Sequence, residues 1–331
     1  MDLSILITFH KQKEYVSQLL DSIFSQATIY SYEVLIAIDG EDDGTLELVN
    51  TYEKKYKNIK IFKVYSDKRL LGLSRASINR LFLLEKSKGR YFCTIDGDDF
   101  FIDSNRFQTG VHFLETNPQY IAHACGRVHY YSNKNKFENI KTKIKTIDFF
   151  QSVIGEYIHV SQCIFRNIFI KGTTYFDKYF FNDRTLFRFM ARHGLIHVDD
   201  TPSFAYRMGQ GSIYTSQSDI HKLLFQLAAN ITNRQIGMRL FFEVNAAQNI
   251  LNIFFKNQSQ PIDNHIVDSI IFQNIPIAKD VVTVLTTERL KPRVKIFLWT
   301  FPRILISPFF YFMSIKNKIS IFILKNNTTT K

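Results

Sequence analysis

The chain has 331 residues, of which 45% are hydrophobic and 22% are charged, and this composition excludes global disorder. With only 13 glycines and 7 prolines, the chain is neither collagen-like nor of low complexity. The length suits two domains, or one large α/β domain with an appendage. Its three cysteines, Cys93, Cys125 and Cys163, are too few and too scattered for a disulfide framework or a zinc site, and they indicate a reducing compartment.

The net charge of +12 is concentrated at one end of the chain. Residues 289–331 contain nine basic residues and no acidic one, so residues 1–288 carry only +3 (12 − 9). The excess does not indicate a nucleic-acid groove across the fold, and we expect no nucleic-acid partner. At the other end, Met1-Asp2 lacks the basic residues of a signal peptide and leads into an apolar run, which predicts a buried strand.

Strand and helix signals alternate over the first 100 residues. Apolar runs predict strands, and helical spacing predicts helices, over 3–8 (strand), 15–24 (helix), 33–38 (strand), 45–56 (helix), 59–65 (strand), 74–86 (helix) and 91–95 (strand). This alternation predicts a mainly parallel α/β sheet, whose ligands lie beyond the carboxyl ends of the strands. Four polar features fall at those ends: Thr8, His10, Asp39 and the cluster Asp96–Asp99.

The rest of the chain is more mixed. A strand is predicted over 121–131, a mobile polar loop over 134–145, and a helix over 180–193. Helical spacing then dominates over 219–256 and continues to about residue 287. We therefore predict an α/β domain over 1–215, a helical extension over 216–288, and a basic aromatic tail over 289–331.

The sharpest local feature is Asp96-Gly97-Asp98-Asp99. Three carboxylates in four residues repel one another, and their clustering is costly unless a cation neutralises them. Hard divalent ions bind such oxygens and often bridge them to substrate phosphates, and Gly97 lets the backbone turn tightly there. An acidic turn or a helix N-cap region is the alternative, and this segment alone leaves both open.

Several motifs, in their order, resemble the GT-A fold, family 2 glycosyltransferases over about residues 3–215. The first matching segments are "ILITFHKQKEYVSQLLDSIFSQ", "YEVLIAIDGEDDGT", "LGLSRA" and "KGRYFCTIDGDD". The resemblance implies a Rossmann-like α/β fold with a nucleotide-sugar half at about 1–100 and an acceptor half at about 101–215. It also implies a nucleotide-sugar donor, most simply a UDP-linked one.

The resemblance implies roles for five residues on the donor side. Thr8 and His10 would flank the nucleotide base, and Asp39 would accept the uracil N–H. Asp96 would face the ribose and the donor. The family's Ala-Arg-Asn step is not intact here, and Arg75 stands close by as a substitute donor contact or as an ordinary charge on a helix surface.

The resemblance also implies a metal and a cationic clamp. Asp98 would hold Mg²⁺ or Mn²⁺ against the diphosphate, with Asp99 in support. The segment "YRMGQGSIY" resembles a later family segment in which Arg207 could approach the diphosphate. Gln210 stands where many relatives carry His, and Ser212 matches a frequent Ser. A surface loop is the alternative for this segment.

The segment "FDKYFFNDRTLFRFMARHG" resembles the acceptor side of the family, with Asn182-Asp183 in place of the usual Glu-Asp. Asp183 would then be the catalytic base, and a helix N-cap is its alternative role. One base and no second nucleophilic carboxylate suits a single displacement with inversion. His159 and Ser161 either line the acceptor pocket or pack in the core.

The tail mixes aromatic and basic residues in "PRVKIFLWTFPRILISPFFYFMSIKNKISIFIL". Its uncharged run of 12 residues, 304–315, is shorter than the roughly 18 needed for a transmembrane helix, and Pro302 and Pro308 interrupt regular helix. An interfacial segment on an anionic membrane surface suits this composition, with a C-terminal helical hairpin packed on the enzyme as the alternative.

Together these features predict an inverting, metal-dependent glycosyltransferase. It would act on a bacterial surface-glycan or lipid-linked acceptor as a peripheral protein on the cytoplasmic face of the membrane. A nucleotidyltransferase on a similar sheet is an alternative, although residues 8–13 lack the Gly-rich phosphate loop that such an enzyme needs. A non-catalytic basic scaffold or binding protein is another, but it leaves the acidic cluster unexplained.

Overall fold

The computed structural model describes residues 1–40, 43–64, 72–142, 144–154, 158–169 and 182–209, together with residues 222, 226, 229, 230, 233, 236 and 237. The chain divides into two compact units, Met1–Ser216 and Gln217–Lys331. Gln210, Ser212, the basic tail and all but seven single positions of the helical extension lie outside the described residues. No helix among the described residues has the length and hydropathy to cross a lipid bilayer.

The first half of the domain is a parallel sheet with helical crossovers, as the sequence predicts. Its strands run in the spatial order β3-β2-β1-β4. The elements are β1 (Leu3–Phe9), α1 (Lys13–Phe24), β2 (Tyr32–Asp39), α2 (Thr45–Lys55), β3 (Ile59–Val64), α3 (Gly72–Lys86) and β4 (Tyr91–Asp96). Strands β1, β2 and β4 are buried along nearly their whole length, because helices cover a parallel sheet on both faces.

The second half extends the same sheet with mixed pairing. Strand β9 lies antiparallel between β4 and β6, and β10 then runs parallel to β6. The elements are β5 (Phe100–Phe101), α4 (Arg106–Thr116), β6 (Tyr120–Tyr131), β7 (Lys136–Ile140), β8 (Thr146–Ile147), α5 (Phe149–Ile154), β9 (Cys163–Arg166), α6 (Asp183–Ala191) and β10 (Leu195–Met208). The predicted α/β architecture is confirmed, and its parallel character is strongest in the first half.

The prediction of a mobile polar loop over 134–145 was wrong. Within it, β7 pairs antiparallel with β6 over five residues. Four of the five β7 side chains are exposed, so the strand has no buried face and no alternating hydrophobic pattern. Backbone hydrogen bonds to β6 define this strand, and sequence periodicity does not report such bonds.

The sheet brings the polar strand ends to one edge. Thr8 at the end of β1 lies opposite Asp96 of β4 on one side and Ala37 of β2 on the other. The end of β10 reaches the same edge, where the backbone N–H of Arg207 donates to Oδ1 of Asp99 over 2.9 Å. Residues from both halves of the domain therefore meet beyond β1, β2 and β4, which is where a parallel sheet binds its ligands.

Candidate active site

The acidic turn, Asp96–Asp99, links β4 to β5. Its backbone closes through a hydrogen bond of 3.1 Å from the Asp99 N–H to the Asp96 carbonyl. Gly97 is not among the described residues with positive φ, but a Cβ at this position would collide with the ring of Phe9 and the side-chain oxygen of Gln12. Gly97 is therefore needed for close packing, which is a different reason from the tight turn that the sequence suggested.

The acidic turn holds more negative charge than nearby groups compensate. Burial, and then the charge of Asp96, raise the pKa of Asp98 to about 6. Burial and the charges of Asp98 and Asp96 raise the pKa of Asp99 well above its ordinary value. Oδ2 of Asp99 is buried and has no hydrogen-bond partner among the described residues. Such a group of oxygens fits a hard divalent cation.

Arg207 lies against the acidic turn. Its Nε donates to the Asp98 carbonyl over 2.7 Å, and its backbone N–H donates to Asp99. Its two terminal nitrogens donate to Ser132 Oγ over 2.6 Å and to Gln18 Oε1 over 2.5 Å. The guanidinium is thus bonded to protein acceptors on each nitrogen, so in this conformation Arg207 supports the turn instead of projecting towards a diphosphate.

The predicted base-binding residues lie together at the end of β2. Asp39 is buried, and its Oδ1 has no hydrogen-bond partner among the described residues. Its Oδ2 is 3.8 Å from Nε of Arg75. Nδ1 of His10 is 2.9 Å from the Asp39 carbonyl, and because a carbonyl only accepts, Nδ1 carries the proton. The structure therefore brings Thr8, His10, Asp39 and Arg75 to one edge of the sheet.

Asp183 is the first residue of α6, but it does not cap the helix. The cap is Asn182, whose side-chain oxygen accepts the N–H of Thr185 over 2.9 Å. The alternative role of Asp183 as the N-cap is therefore wrong. Its carboxylate instead faces Arg80, with 2.5 Å between Oδ1 and Nη1, and 30% of the Asp183 side chain is exposed.

Sequence reasoning missed Arg80. This residue of α3 is buried, and its Nε donates to Thr94 Oγ1 over 3.2 Å. Its Nη2 lies 3.5 Å from Oδ1 of Asp96, while Nη1 contacts Asp183. The spacing of Ser77, Arg80 and Leu84 places them on one buried face of a helix. A buried arginine needs carboxylate partners, so this pattern could have indicated a role for Arg80.

His159 approaches the same two carboxylates from the acceptor half. Its Nε2 is 3.7 Å from Oδ2 of Asp183 and 4.0 Å from Oδ2 of Asp96. Ser161, by contrast, is buried, and its Oγ has no partner among the described residues. Core packing is therefore the better description of Ser161, whereas His159 belongs to the site.

The two carboxylates have opposite pKa shifts. Burial raises the pKa of Asp183, but the electrostatic interactions with Arg80 and His159 outweigh this effect, so the pKa lies below its ordinary value. Burial and the charge of Asp183 raise the pKa of Asp96. Asp183 therefore remains ionised near neutral pH. The ligand atoms of Asp96, His159 and Asp183 lie within 4.8 Å of one another, so these three residues could hold a metal ion, although Arg80 already supplies positive charge to both carboxylates.

The sequence of the domain identifies its family. Residues 4–187, more than half of the chain, match the model of glycosyl transferase family 2, and the chain belongs to this family. A poly(ribitol-phosphate) beta-glucosyltransferase of Bacillus spizizenii is 28% identical over 101 residues, which are 30% of this chain and 15% of that protein. The Escherichia coli UDP-Glc:alpha-D-GlcNAc-diphosphoundecaprenol beta-1,3-glucosyltransferase WfaP is 26% identical over 132 residues, 40% of this chain and 47% of that one.

Other relatives match over a limited part of their length. A protein of Mycobacterium tuberculosis is 26% identical to this chain over 117 residues. These residues are 35% of this chain and 32% of that protein. Among solved structures, Staphylococcus aureus TarS 1-349 in complex with UDP-GlcNAc has a TM-score of 0.56 at 15% identity, covering 86% of this chain and 84% of that one. This likeness shows that the two proteins share the GT-A fold.

Proposed function

We propose that the protein is an inverting, metal-dependent glycosyltransferase that uses a UDP-linked sugar. The acceptor would be a hydroxyl of a bacterial surface glycan or of a lipid-linked glycan. One observation carries the proposal: three acidic features meet at one edge of the sheet. They are Asp39 with its unpartnered oxygen, the acidic turn, and the carboxylate of Asp183, which does not cap its helix. Membership of glycosyl transferase family 2 supports transfer over the nucleotidyltransferase and scaffold alternatives.

The buried oxygen of Asp39 supports a nucleotide base as ligand. An unpartnered buried acceptor is costly, and a donor N–H relieves that cost. The N3–H of uracil is such a donor, with His10 and Thr8 beside it. The TarS structures in complex with UDP-GlcNAc and with UDP support a uridine nucleotide by analogy of fold.

The acidic turn supports a divalent cation on the donor diphosphate. Asp98 would be the ligand that solvent reaches, and Asp99 would assist from its buried position. A divalent cation, Mg²⁺ or Mn²⁺, held by Asp98 and Asp99 would supply Lewis-acid stabilisation for the negative charge of the departing diphosphate. Arg207 contributes by fixing the turn, through the Asp98 carbonyl and the Asp99 carboxylate.

Asp183 would be the base for the acceptor. Its Oδ2 takes the proton of the acceptor hydroxyl while the hydroxyl oxygen attacks the anomeric carbon. A bond forms between these two atoms, and the bond from the anomeric carbon to the diphosphate oxygen breaks with its electrons, so that UDP leaves. A single displacement of this kind inverts the anomeric configuration.

The tail is a separate proposal that rests on sequence alone. Residues 289–331 would contact an anionic membrane surface at its cytoplasmic face through basic and aromatic side chains. Binding to anionic vesicles by the full chain, compared with a chain ending at Glu288, tests this contact. Loss of binding on truncation supports it, and unchanged binding contradicts it.

A screen of nucleotide-sugars tests the proposed function. We expect UDP and one UDP-sugar to raise Tm in the presence of Mn²⁺ or Mg²⁺ and not in EDTA. Asp39→Ala should weaken UDP binding at least ten-fold, because a hydrogen bond to a charged group is lost. Asp200→Ala, which removes an exposed carboxylate of β10, is the matched control. UDP binding that survives EDTA contradicts the metal role, and no response to any nucleotide-sugar contradicts the function.

A further inference from the structure

Arg80 and His159 lie between the carboxylate on the donor side and the carboxylate on the acceptor side. We propose that they are positioning residues, which orient Asp183 so that its Oδ2 receives the proton of the acceptor and which hold it at a fixed distance from Asp96. The inference rests on the proposed function, because it describes how that reaction's base is held.

Arg80 connects elements from both halves of the domain. Its side chain is only 5% exposed, so its charge is not solvated and must be met by carboxylates. On the donor side it bonds Thr94 and lies 3.5 Å from Asp96, both in β4. On the acceptor side it holds Oδ1 of Asp183 at 2.5 Å. One planar cation thereby sets the spacing between β4 and the first residue of α6.

His159 faces the other oxygen of Asp183. Its Nδ1 accepts the N–H of Ser161 over 3.4 Å, so in the neutral ring the proton is on Nε2. That N–H points between the two carboxylates at 3.7 and 4.0 Å, which is too far for a direct hydrogen bond. The ring lies parallel to Phe204, with 6.1 Å between centroids. His159 therefore directs the positive end of this N–H bond at Oδ2 of Asp183 without forming a direct hydrogen bond to it.

Among the residues that the structure describes, Asp183 is faced by Arg80 from α3, by His159 before the 3₁₀ helix Val160–Gln162, and by Asp96 from β4. Arg80 and His159 favour the ionised carboxylate, and Asp96 opposes it. Removal of the Arg80 charge should raise the pKa of Asp183. The acidic limb of the pH profile for acceptor-dependent kcat/KM would then move to higher pH, a change that a loss of packing alone does not produce.

The test compares two variants of Arg80 in the full chain with Mn²⁺ and a UDP-sugar. Arg80→Lys keeps the charge but cannot reach Thr94, Asp96 and Asp183 together, and we expect kcat to fall at least ten-fold with UDP affinity within two-fold. Arg80→Met should lose more activity and move the acidic limb to higher pH. Arg90→Met is the matched control, because this arginine is 57% exposed and pairs with Asp2.

A second pair of variants keeps the inference testable if the Arg80 variants do not fold. His159→Gln retains an N–H donor and should keep most of kcat, whereas His159→Phe should lose at least ten-fold in kcat with UDP affinity unchanged. A folded Arg80→Met protein with wild-type kcat and pH profile overturns the inference, and so does wild-type kcat in His159→Phe. Absence of transfer by the wild-type protein overturns the proposed function instead.

Discussion

Asp98 keeps a negative charge in a place that disfavours it. Its pKa is raised to about 6 by burial and by Asp96, whereas an unfolded chain has the ordinary value of 3.8. Between about pH 3.8 and pH 6, this carboxyl group therefore binds a proton more tightly in the folded state than in the unfolded chain. Stability from this residue falls as pH rises through that window, and above about pH 6 the full penalty applies.

This residue predicts a stability change that depends on pH and metal. Without metal, Asp98→Asn should raise Tm at pH 7 by about 2–4 °C, the shift that roughly 1 kcal/mol produces in a protein of this size. The difference should shrink as pH falls from 7 to 5, because Asp98 of the wild type is then protonated. Scanning calorimetry at both pH values measures it.

Added Mn²⁺ should reverse the order at pH 7. The wild type gains stability from the bound ion, and the variant gains less because it lacks one carboxylate. An Asp98→Asn protein that is less stable than the wild type at pH 7 without metal contradicts this description of the acidic turn.

The carboxylates of the site could be predicted from the sequence, but Arg80, which lies between Asp96 and Asp183, was missed. Asp39 and Asp96–Asp99 each follow a buried apolar strand, so a local pattern with one topological rule places them at the sheet edge. Arg80 becomes informative only when α3 is packed against β4 and α6, which are distant in the chain. Arg75, which the sequence suggested as a contact to the donor, lies beside Asp39, the residue predicted to bind the base.

At the scale of elements, the start of α6 decides where Asp183 points. Asn182 bonds the N–H of Thr185, which fixes the first turn of the helix. Asn182→Ala should reduce the free energy of unfolding by about 1 kcal/mol, because an N-cap is lost. It should also lower kcat several-fold with UDP affinity unchanged, because Asp183 begins that turn. Denaturant unfolding and steady-state kinetics measure the two effects.

Asn182→Asp is the control for this prediction, since aspartate caps a helix as well as asparagine does. It should keep near-normal stability. A loss of UDP affinity in Asn182→Ala, with kcat unchanged, would show that α6 belongs to the donor side and not to the acceptor side.

Elements with a buried face were predictable, and elements without one were not. The apolar runs of β1, β2 and β4 indicate buried parallel strands, and the observed bounds of these strands differ from the predicted ones by at most one residue. Strand β7 has four exposed side chains, so its Lys- and Asn-rich sequence resembles a loop. Its pairing with β6 is a long-range backbone property that periodicity does not encode.

At the scale of the whole molecule, β9 joins the donor half to the acceptor half. It lies between β4 and β6, so the acidic turn and β10 belong to one continuous sheet. This arrangement lets a carboxylate of β4 and a carboxylate of α6 share one arginine. The resemblance to the family predicted the order of the donor and acceptor segments along the chain. The contacts between these segments are visible only in the structure.

The most direct test of the central claim is the transfer rate of Asp183→Asn. Asparagine keeps an oxygen for Arg80 but cannot take a proton, so the rate should fall by about 10²–10⁴. UDP affinity in Mn²⁺ should stay within two-fold of the wild type, and Asp200→Asn should transfer at the normal rate. Near-normal transfer by Asp183→Asn would contradict the role of Asp183 as the base and with it the mechanism proposed for this site.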